Sequence, residues 1–122
     1  MPILDVHLVL PDGAPLPAGL AAAIADAAGA LLNAPAGRVW VRLSVLPAGQ
    51  YAENDVAPAD QPRPVFVTVM HADLPGAETL AVQALALSDA VASVVGCDAG
   101  LVHIEFAPPG RGRVAFGGRL LT

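Results

Sequence analysis

The pattern that most constrains the fold is an order of strand, helix and strand that occurs twice in 122 residues. Alternating apolar side chains indicate the strands, and apolar side chains three and four residues apart indicate the helices. Two parallel strands joined by a helix form a βαβ unit with a right-handed crossover. The chain therefore predicts a tandem βαβ repeat. The predicted elements are strands at 1–10, 39–46, 64–70 and 101–107, and helices at 17–33 and from 73 to Gly96.

These elements predict an α+β fold, with a four-stranded mixed sheet and two helices on one face. We expect one domain over residues 1–122, made of the units 1–51 and 64–118. The stretch 52–63 is rich in proline and acidic residues and has no periodicity, so it is predicted to be a surface connection. A glycine-rich tail at 111–118 predicts a short hairpin.

The predicted sheet has one aliphatic face and one mixed face. Residues 39, 41, 43 and 45 are aliphatic, whereas Trp40 and Arg42 point the other way, as do His103 and Glu105 in the last strand. Both helices cover the aliphatic face, so the mixed face needs another partner. The composition is 55% hydrophobic with only 14% charged residues, which also favours self-association.

Charge and composition exclude several classes of partner. The net charge is −5 with no lysine, and aromatic residues are few, so nucleic acid binding is not expected. Arginines can still hold a small carboxylate. Cys97 is the only cysteine, so no intrachain disulfide is possible. We see neither a signal peptide nor an apolar run long enough to cross a membrane, and we expect a cytoplasmic protein.

Pro2 directly follows Met1. Removal of Met1 would leave Pro2 as a free secondary amine at the start of a strand, where it can act as a general base. An apolar pocket and a nearby cation would keep this amine neutral, and Ile3, Val114 and Phe116 are candidate walls. A retained Met1 would acylate Pro2 and remove the base. Pro64 begins the second unit, 62 residues later, but it is an amide inside the chain and has no basic nitrogen.

Three segments together resemble the tautomerase superfamily. Residues 2–8 (PILDVHL) resemble the opening of 4-oxalocrotonate tautomerase, and residues 39–51 align without gaps with its second strand and following loop. The tail 111–118 (RGRVAFGG) is similar to the family's glycine-rich hairpin. Two units in one chain is the arrangement of fused tautomerases and of macrophage migration inhibitory factor. The resemblance implies a homotrimer with sites at subunit boundaries, a small carboxylate substrate and no cofactor.

The chain departs from the family at several functional positions. The family arginine that follows the first strand aligns near Asp12. The family arginine of the second strand aligns with Trp40 in the first unit and with His103 in the second unit. The aromatic residue near the loop matches Tyr51, with Val114 in the second half. In the migration-inhibitory-factor pattern, a tyrosine and an asparagine fall on His103 and Glu105, and the lysine falls near Ala34.

The resemblance and the strand pattern together define a candidate site. Arg42, Arg111 and Arg113 are candidate carboxylate ligands, and Glu105 is alternatively an interface ion-pair partner, for example of Arg42. His7 and His71 have no metal-binding spacing, so no metal is assigned. The predicted catalytic residues are Pro2, His103 and Tyr51, and the predicted substrate-binding residues are Arg42, Trp40, Glu105, Arg111, Arg113, Val114 and Phe116.

The favoured function is a cofactor-independent tautomerase or isomerase that moves a proton on a small enol or α-keto acid, with Pro2 as the base. One alternative is an enzyme similar to haloacrylate dehalogenases and hydratases, in which a protonated Pro2 acts with an acid such as Glu105 on water. Another is a non-catalytic trimer of the same fold. A ferredoxin-like regulatory module shares the repeat but gives the N-terminal proline no role.

Overall fold

A computed structural model describes residues 1–122. It contains six strands, two α-helices and three single turns of 3₁₀ helix, at Ala48–Gln50, Pro58–Asp60 and Ala99–Leu101. The main elements are β1 (Ile3–Leu10), α1 (Leu20–Leu31), β2 (Trp40–Pro47), β3 (Val65–Met70), α2 (Ala77–Val95), β4 (Val102–Phe106), β5 (Ala115–Phe116) and β6 (Arg119–Leu120).

The first four strands form one sheet in the order β2-β1-β3-β4. β1 runs parallel to β2, and β3 runs parallel to β4, as expected for two βαβ units. The two units meet at the central pair, in which β1 and β3 are antiparallel. The predicted α+β fold with a mixed four-stranded sheet is confirmed.

Both helices pack on the same face of the sheet, and the core lies between them and the two central strands. Leu4, Val6 and Leu8 of β1 are almost completely buried, together with Ile24 of α1 and Leu87 of α2. No polar or charged side chain is buried in this layer. The core is therefore held by apolar burial and close packing, with the hydrogen bonds confined to the backbone ladders and the surface.

The side-chain alternation in the edge strands is as predicted. Val41 and Leu43 of β2 pack against the core, whereas Trp40 and Arg42 are exposed on the opposite face. In β4, Ile104 and Phe106 contact the core, and His103 and Glu105 are exposed on the opposite face. We call this second surface the open face; it consists of Ile3, Asp5, His7, Trp40, Arg42, Ser44, Phe66, Thr68, Met70, His103 and Glu105.

The structural repeat differs by one residue from the spacing of the two prolines. A shift of 63 residues places buried Leu4 on buried Val67, and Ile24 on Leu87. A shift of 62 would instead place Leu4 on exposed Phe66, because successive strand residues point to opposite faces. Pro2 therefore corresponds to Val65, and the proposed equivalence of Pro2 and Pro64 is wrong.

The helices are shorter than predicted at their N-termini. Gly19 precedes α1 with a φ of 75°, a left-handed conformation outside the helix, so α1 begins at Leu20 rather than near Pro17. α2 begins after Gly76, and Asp73, which was expected at the helix start, forms an ion pair instead. The predicted C-cap of α2 is confirmed, since Gly96 has a φ of 83°.

α2 has 19 residues and a mean hydropathy of 1.4, so it is long and apolar enough to cross a membrane by length and composition. The expectation from the sequence that no segment has this length and apolarity is therefore wrong, since Glu78, Gln83 and Asp89 interrupt the apolar run but leave its mean hydropathy high. In the structure, α2 packs along the sheet through Leu87 and Val91. Its apolar character is thus partly accounted for by the core.

The C-terminal tail forms a hairpin four residues later than its predicted start. β5 and β6 pair in antiparallel fashion around a two-residue turn, Gly117-Gly118. Both glycines have positive φ, as a type I′ turn requires. Residues 110–114 form the turn that leads into this hairpin, and the main-chain nitrogens of Arg113 and Val114 both donate to the carbonyl of Gly110.

Candidate functional site

The start of β1 lies at the edge of the sheet where β3 and β4 end. Pro2 is buried, and its carbonyl accepts a hydrogen bond of 3.1 Å from the backbone nitrogen of Trp40. Ile3 pairs with Met70 at the end of β3 because β1 and β3 are antiparallel. The N-terminus of the first unit thus meets the segment that follows the last strand of the second unit.

That segment forms a wall beside the N-terminus. The backbone nitrogen of Gly110 donates to the carbonyl of His71 at 2.8 Å, and that of Arg111 donates to the carbonyl of Ala72 at 3.0 Å. The side chain of Met1 packs directly against Gly110, where even a Cβ atom would clash with it. Val114 lies against the same position. We call residues 110–114 the tail wall.

Two aromatic side chains complete the surroundings. The rings of Trp40 and Phe116 meet edge to face, with centroids 4.8 Å apart and planes at 85°. Since Trp40 is bonded through its backbone to Pro2, the hairpin residue Phe116 is brought to the same edge of the sheet. The structure therefore groups four of the predicted site residues, Pro2, Trp40, Val114 and Phe116.

The electrostatics of this edge favour a neutral amine. The pKa of the Met1 amine is lowered, first by burial and then by the positive charge of Arg38. Arg38 has no ion-pair partner. It was not among the predicted site residues, although its position two residues before Trp40 is the one signal in the sequence that links it to the start of β2.

Arg42 is held on the open face by Asp5, the residue opposite it in β1. Its Nε and Nη2 donate to the two carboxylate oxygens of Asp5 at 2.6 and 2.8 Å. This hydrogen bonding and the negative charge of Asp5 raise the pKa of Arg42. Arg42 and Glu105 of one chain do not pair, because β2 and β4 lie at opposite edges of the sheet, so the predicted interface ion pair would have to form between subunits.

The two arginines of the tail also have partners. Arg111 donates from Nε and Nη2 to the carboxylate of Asp73 at 2.7 and 2.6 Å, and from Nη1 to the carbonyl of Thr122 at 2.5 Å. Arg113 makes only a long hydrogen bond of 3.3 Å to the carbonyl of Pro109. Of the three arginines predicted to bind substrate, Arg113 is thus the least engaged.

Tyr51 and His103 do not reach Pro2 within one chain. They lie on either side of Phe66, with ring centroids 5.8 and 5.4 Å from it. Phe66 is four strand residues from Met70, which pairs beside Pro2, and that separation is about 13 Å. Within one chain, the structure therefore separates the predicted catalytic residues into two groups.

Each of these two side chains lines a separate cavity. A cavity of about 450 Å³ is lined by residues that include Tyr51, Gln61 and Arg63. A second, of about 200 Å³, is lined by Phe66, His103 and Glu105 among others. None of the cavities is lined by Pro2. The side chain of Met1 lies on that side of the chain, against Gly110. No cluster of three potential metal ligands is present.

The Tyr51 hydroxyl donates to Glu53 at 2.5 Å. This hydrogen bond, followed by burial and the charge of Glu53, raises the pKa of Tyr51 to about 12. Tyr51 is therefore neutral at physiological pH. Its hydroxyl already donates to Glu53, so to polarise a substrate Tyr51 would have to break this hydrogen bond and donate to the substrate instead.

The arrangement of sheet, helices and tail is the fold of the tautomerase superfamily. A fused 4-OT described as a wild-type symmetric trimer superposes with a TM-score of 0.75 at 24% identity, over 98% of this chain and 94% of that one. A macrophage migration inhibitory factor from Oncomelania hupensis gives 0.72 at 20% identity, over 100% and 83%. A malonate semialdehyde decarboxylase inhibited by 3-bromopropiolate gives 0.67 at 20%, over 94% and 90%.

The resemblance stated from the sequence is thus confirmed at the level of the fold. These neighbours include proteins with different activities, so the shared fold does not specify one reaction. No protein-family model matches the chain, and no curated protein matches it.

Proposed function

We propose that this chain, after removal of Met1, is a cofactor-independent tautomerase that moves a proton on a small enol or α-keto acid. The observation that carries the proposal is the environment of the N-terminal amine, where burial and Arg38 both lower the pKa. The same two causes would act on the amine of Pro2. A neutral amine at this edge of the sheet is what a general base requires.

In this mechanism, Pro2 takes a proton from the enol oxygen or the adjacent carbon and returns it to another carbon. Arg38, which has no ion-pair partner and whose charge acts on this amine, is proposed to hold the substrate carboxylate, with Arg113 of the tail wall as the second unpaired candidate. Removal of Met1 would vacate the space that its side chain occupies against Gly110. Trp40, Phe116 and Val114 supply apolar walls that limit access of water.

We further propose that the protein is a homotrimer of single-domain subunits. The open face is not covered by either helix, and it carries the exposed aromatic ring of Phe66. Several structures with this fold are described as trimers. In such an assembly, Tyr51, His103 and Glu105 of one subunit are proposed to approach Pro2 of another. Tyr51 or His103 would then polarise the substrate carbonyl, as the family resemblance implies. The cytoplasmic location remains part of this proposal.

Two alternatives make different predictions. A hydratase or dehalogenase mechanism needs Pro2 protonated, which the lowered pKa at this edge disfavours. A non-catalytic role is favoured by one observation, the packing of Met1 against Gly110 and Val114, because a methionine retained in that position would block the amine and fill its pocket.

The test begins with the intact mass of the purified protein, which shows whether Met1 is removed. Tautomerisation of phenylenolpyruvate and 2-hydroxymuconate is then measured beside Pro2→Ala, in which the alanine keeps a free amine but loses the proline ring. We expect kcat/KM to fall by a factor of about 100 or more in the variant. Retention of Met1, or an equally active variant, would overturn the proposal.

The pH profile distinguishes the two enzymatic mechanisms. A neutral base gives a kcat/KM that rises with pH through the pKa of the Pro2 amine, whereas a protonated proline gives one that falls. We expect kcat/KM to rise with pH, with a midpoint below the ordinary pKa of an N-terminal amine.

A further inference from the structure

The tail wall is attached to the loop after β3 by side chains as well as by backbone hydrogen bonds. Asp73 lies in that loop, and both of its carboxylate oxygens accept hydrogen bonds from Arg111. The guanidinium also reaches the carbonyl of Thr122, and Gly112 donates to the carbonyl of Leu121. One arginine therefore connects the loop, the tail wall and the last residues of the chain.

This connection is directly adjacent to the contact with the N-terminus. Gly110, the residue before Arg111, is buried and packs against Met1. Residues 111–113 are exposed and lie outside the four-stranded sheet, so apart from backbone hydrogen bonds the wall is held by the side chain of Arg111. A planar guanidinium bound at two points restricts orientation more than a single hydrogen bond does.

We propose that the Asp73–Arg111 ion pair holds the tail wall beside the N-terminus, so that Arg111 is a positioning residue and does not bind the substrate. The effect of this ion pair on catalysis rests on the proposed function, but its effect on the pKa of the amine can be measured without turnover. The geometry leaves Arg111 with no free face of its fork for a carboxylate, because Nε and Nη2 are both directed at Asp73.

Positioning and substrate binding predict opposite behaviour for Asp73. If Arg111 positions the wall, Asp73→Ala and Arg111→Ala remove the same contact, so each lowers kcat/KM by a similar factor of about three to ten and the double variant is no worse than either. If Arg111 binds substrate, Asp73→Ala frees the guanidinium and leaves activity equal or higher, while Arg111→Ala alone raises KM.

The measurement that is independent of activity is a ¹⁵N NMR titration of the N-terminal amine. When the wall loosens, water reaches the amine and its positive form is better solvated. We therefore expect the pKa to rise by about half a unit or more in both single variants. Exchanging the two residues in Asp73→Arg/Arg111→Asp restores the pair and should return the pKa toward the parent value. Asp89→Ala, an exposed carboxylate on α2, is the matched control.

Far-ultraviolet circular dichroism and thermal unfolding show whether each variant is folded. An unchanged amine pKa in folded Asp73→Ala and Arg111→Ala would overturn the inference, as would full activity in Asp73→Ala beside a loss in Arg111→Ala. If the parent has no tautomerase activity but the amine pKa shifts as expected, the proposed function fails and the positioning role stands.

Discussion

Arg38 is the residue that we propose as a carboxylate ligand at the N-terminal edge. Its charge lowers the pKa of the neighbouring amine, and it has no ion-pair partner to occupy its guanidinium. We expect Arg38→Ala to raise KM by a factor of about ten or more, and to move the rising limb of kcat/KM to higher pH, because removal of a cation favours the protonated amine.

Arg38→Lys is the control for this prediction. It keeps the positive charge and so should keep the midpoint of the pH profile, but it loses the planar fork and should restore KM only in part. Equal KM values in Arg38→Ala and the parent would show that another group binds the carboxylate.

Tyr51 offers a direct check on the loop that contains it. It is the only tyrosine, so the near-ultraviolet absorbance of tyrosinate reports its ionisation alone. Glu53 raises the pKa of Tyr51 to about 12. In Glu53→Gln, the carboxylate acceptor and its charge are lost, and we expect the pKa to fall toward the ordinary value of about 10. A titration midpoint that does not change would mean that the two side chains are not bonded in solution.

Among the elements, α2 is terminated by a single conformational feature. Gly96 adopts a φ of 83°, and a Cβ placed there would meet nothing within 4 Å. Gly96→Ala should therefore lower the free energy of unfolding by about 1 kcal/mol through backbone strain alone. Gly29→Ala, in the interior of α1, has ordinary φ and only an ordinary contact of 3.8 Å to Val39, and should not be destabilising. Urea denaturation measures both, and equal effects would contradict this account of the cap.

For the whole molecule, we expect substitutions on the open face and on the outer surface of α2 to have opposite effects on trimer formation. Phe66 is 37% exposed on the open face, and Val82 is 69% exposed on α2. If the open face forms the trimer, Phe66→Arg should dissociate the protein to monomers, because a charge buried without a partner is costly. Val82→Arg should leave the trimer intact. Sedimentation velocity distinguishes the two, and a trimeric Phe66→Arg would place the interface elsewhere.

Much of the architecture was predictable because it depends on local periodicity. The aliphatic positions of β2 and β4 alternate, and the apolar residues of α2 recur at helical spacing before Gly96, so element type and buried face followed directly. Helix starts were less accurate, because Gly19 takes a left-handed φ that places it outside α1, and Asp73 pairs with the distant Arg111. The spacing of Pro2 and Pro64 was misleading because a one-residue difference reverses the face of every strand residue.

The sequence by itself determined the two βαβ units, the mixed sheet and the position of Pro2 at the start of a strand. Only the tertiary structure decided which arginines remain available. Asp5 pairs with Arg42 because β1 and β2 are neighbours in a particular register, and Asp73 pairs with Arg111 across 38 residues. Periodicity is a property of neighbouring residues, whereas the pairing of charges depends on strand order and on how the tail returns to the N-terminus. That is why the arginines that remain unpaired near the N-terminus, Arg38 and Arg113, could not be distinguished from Arg42 and Arg111 in the sequence.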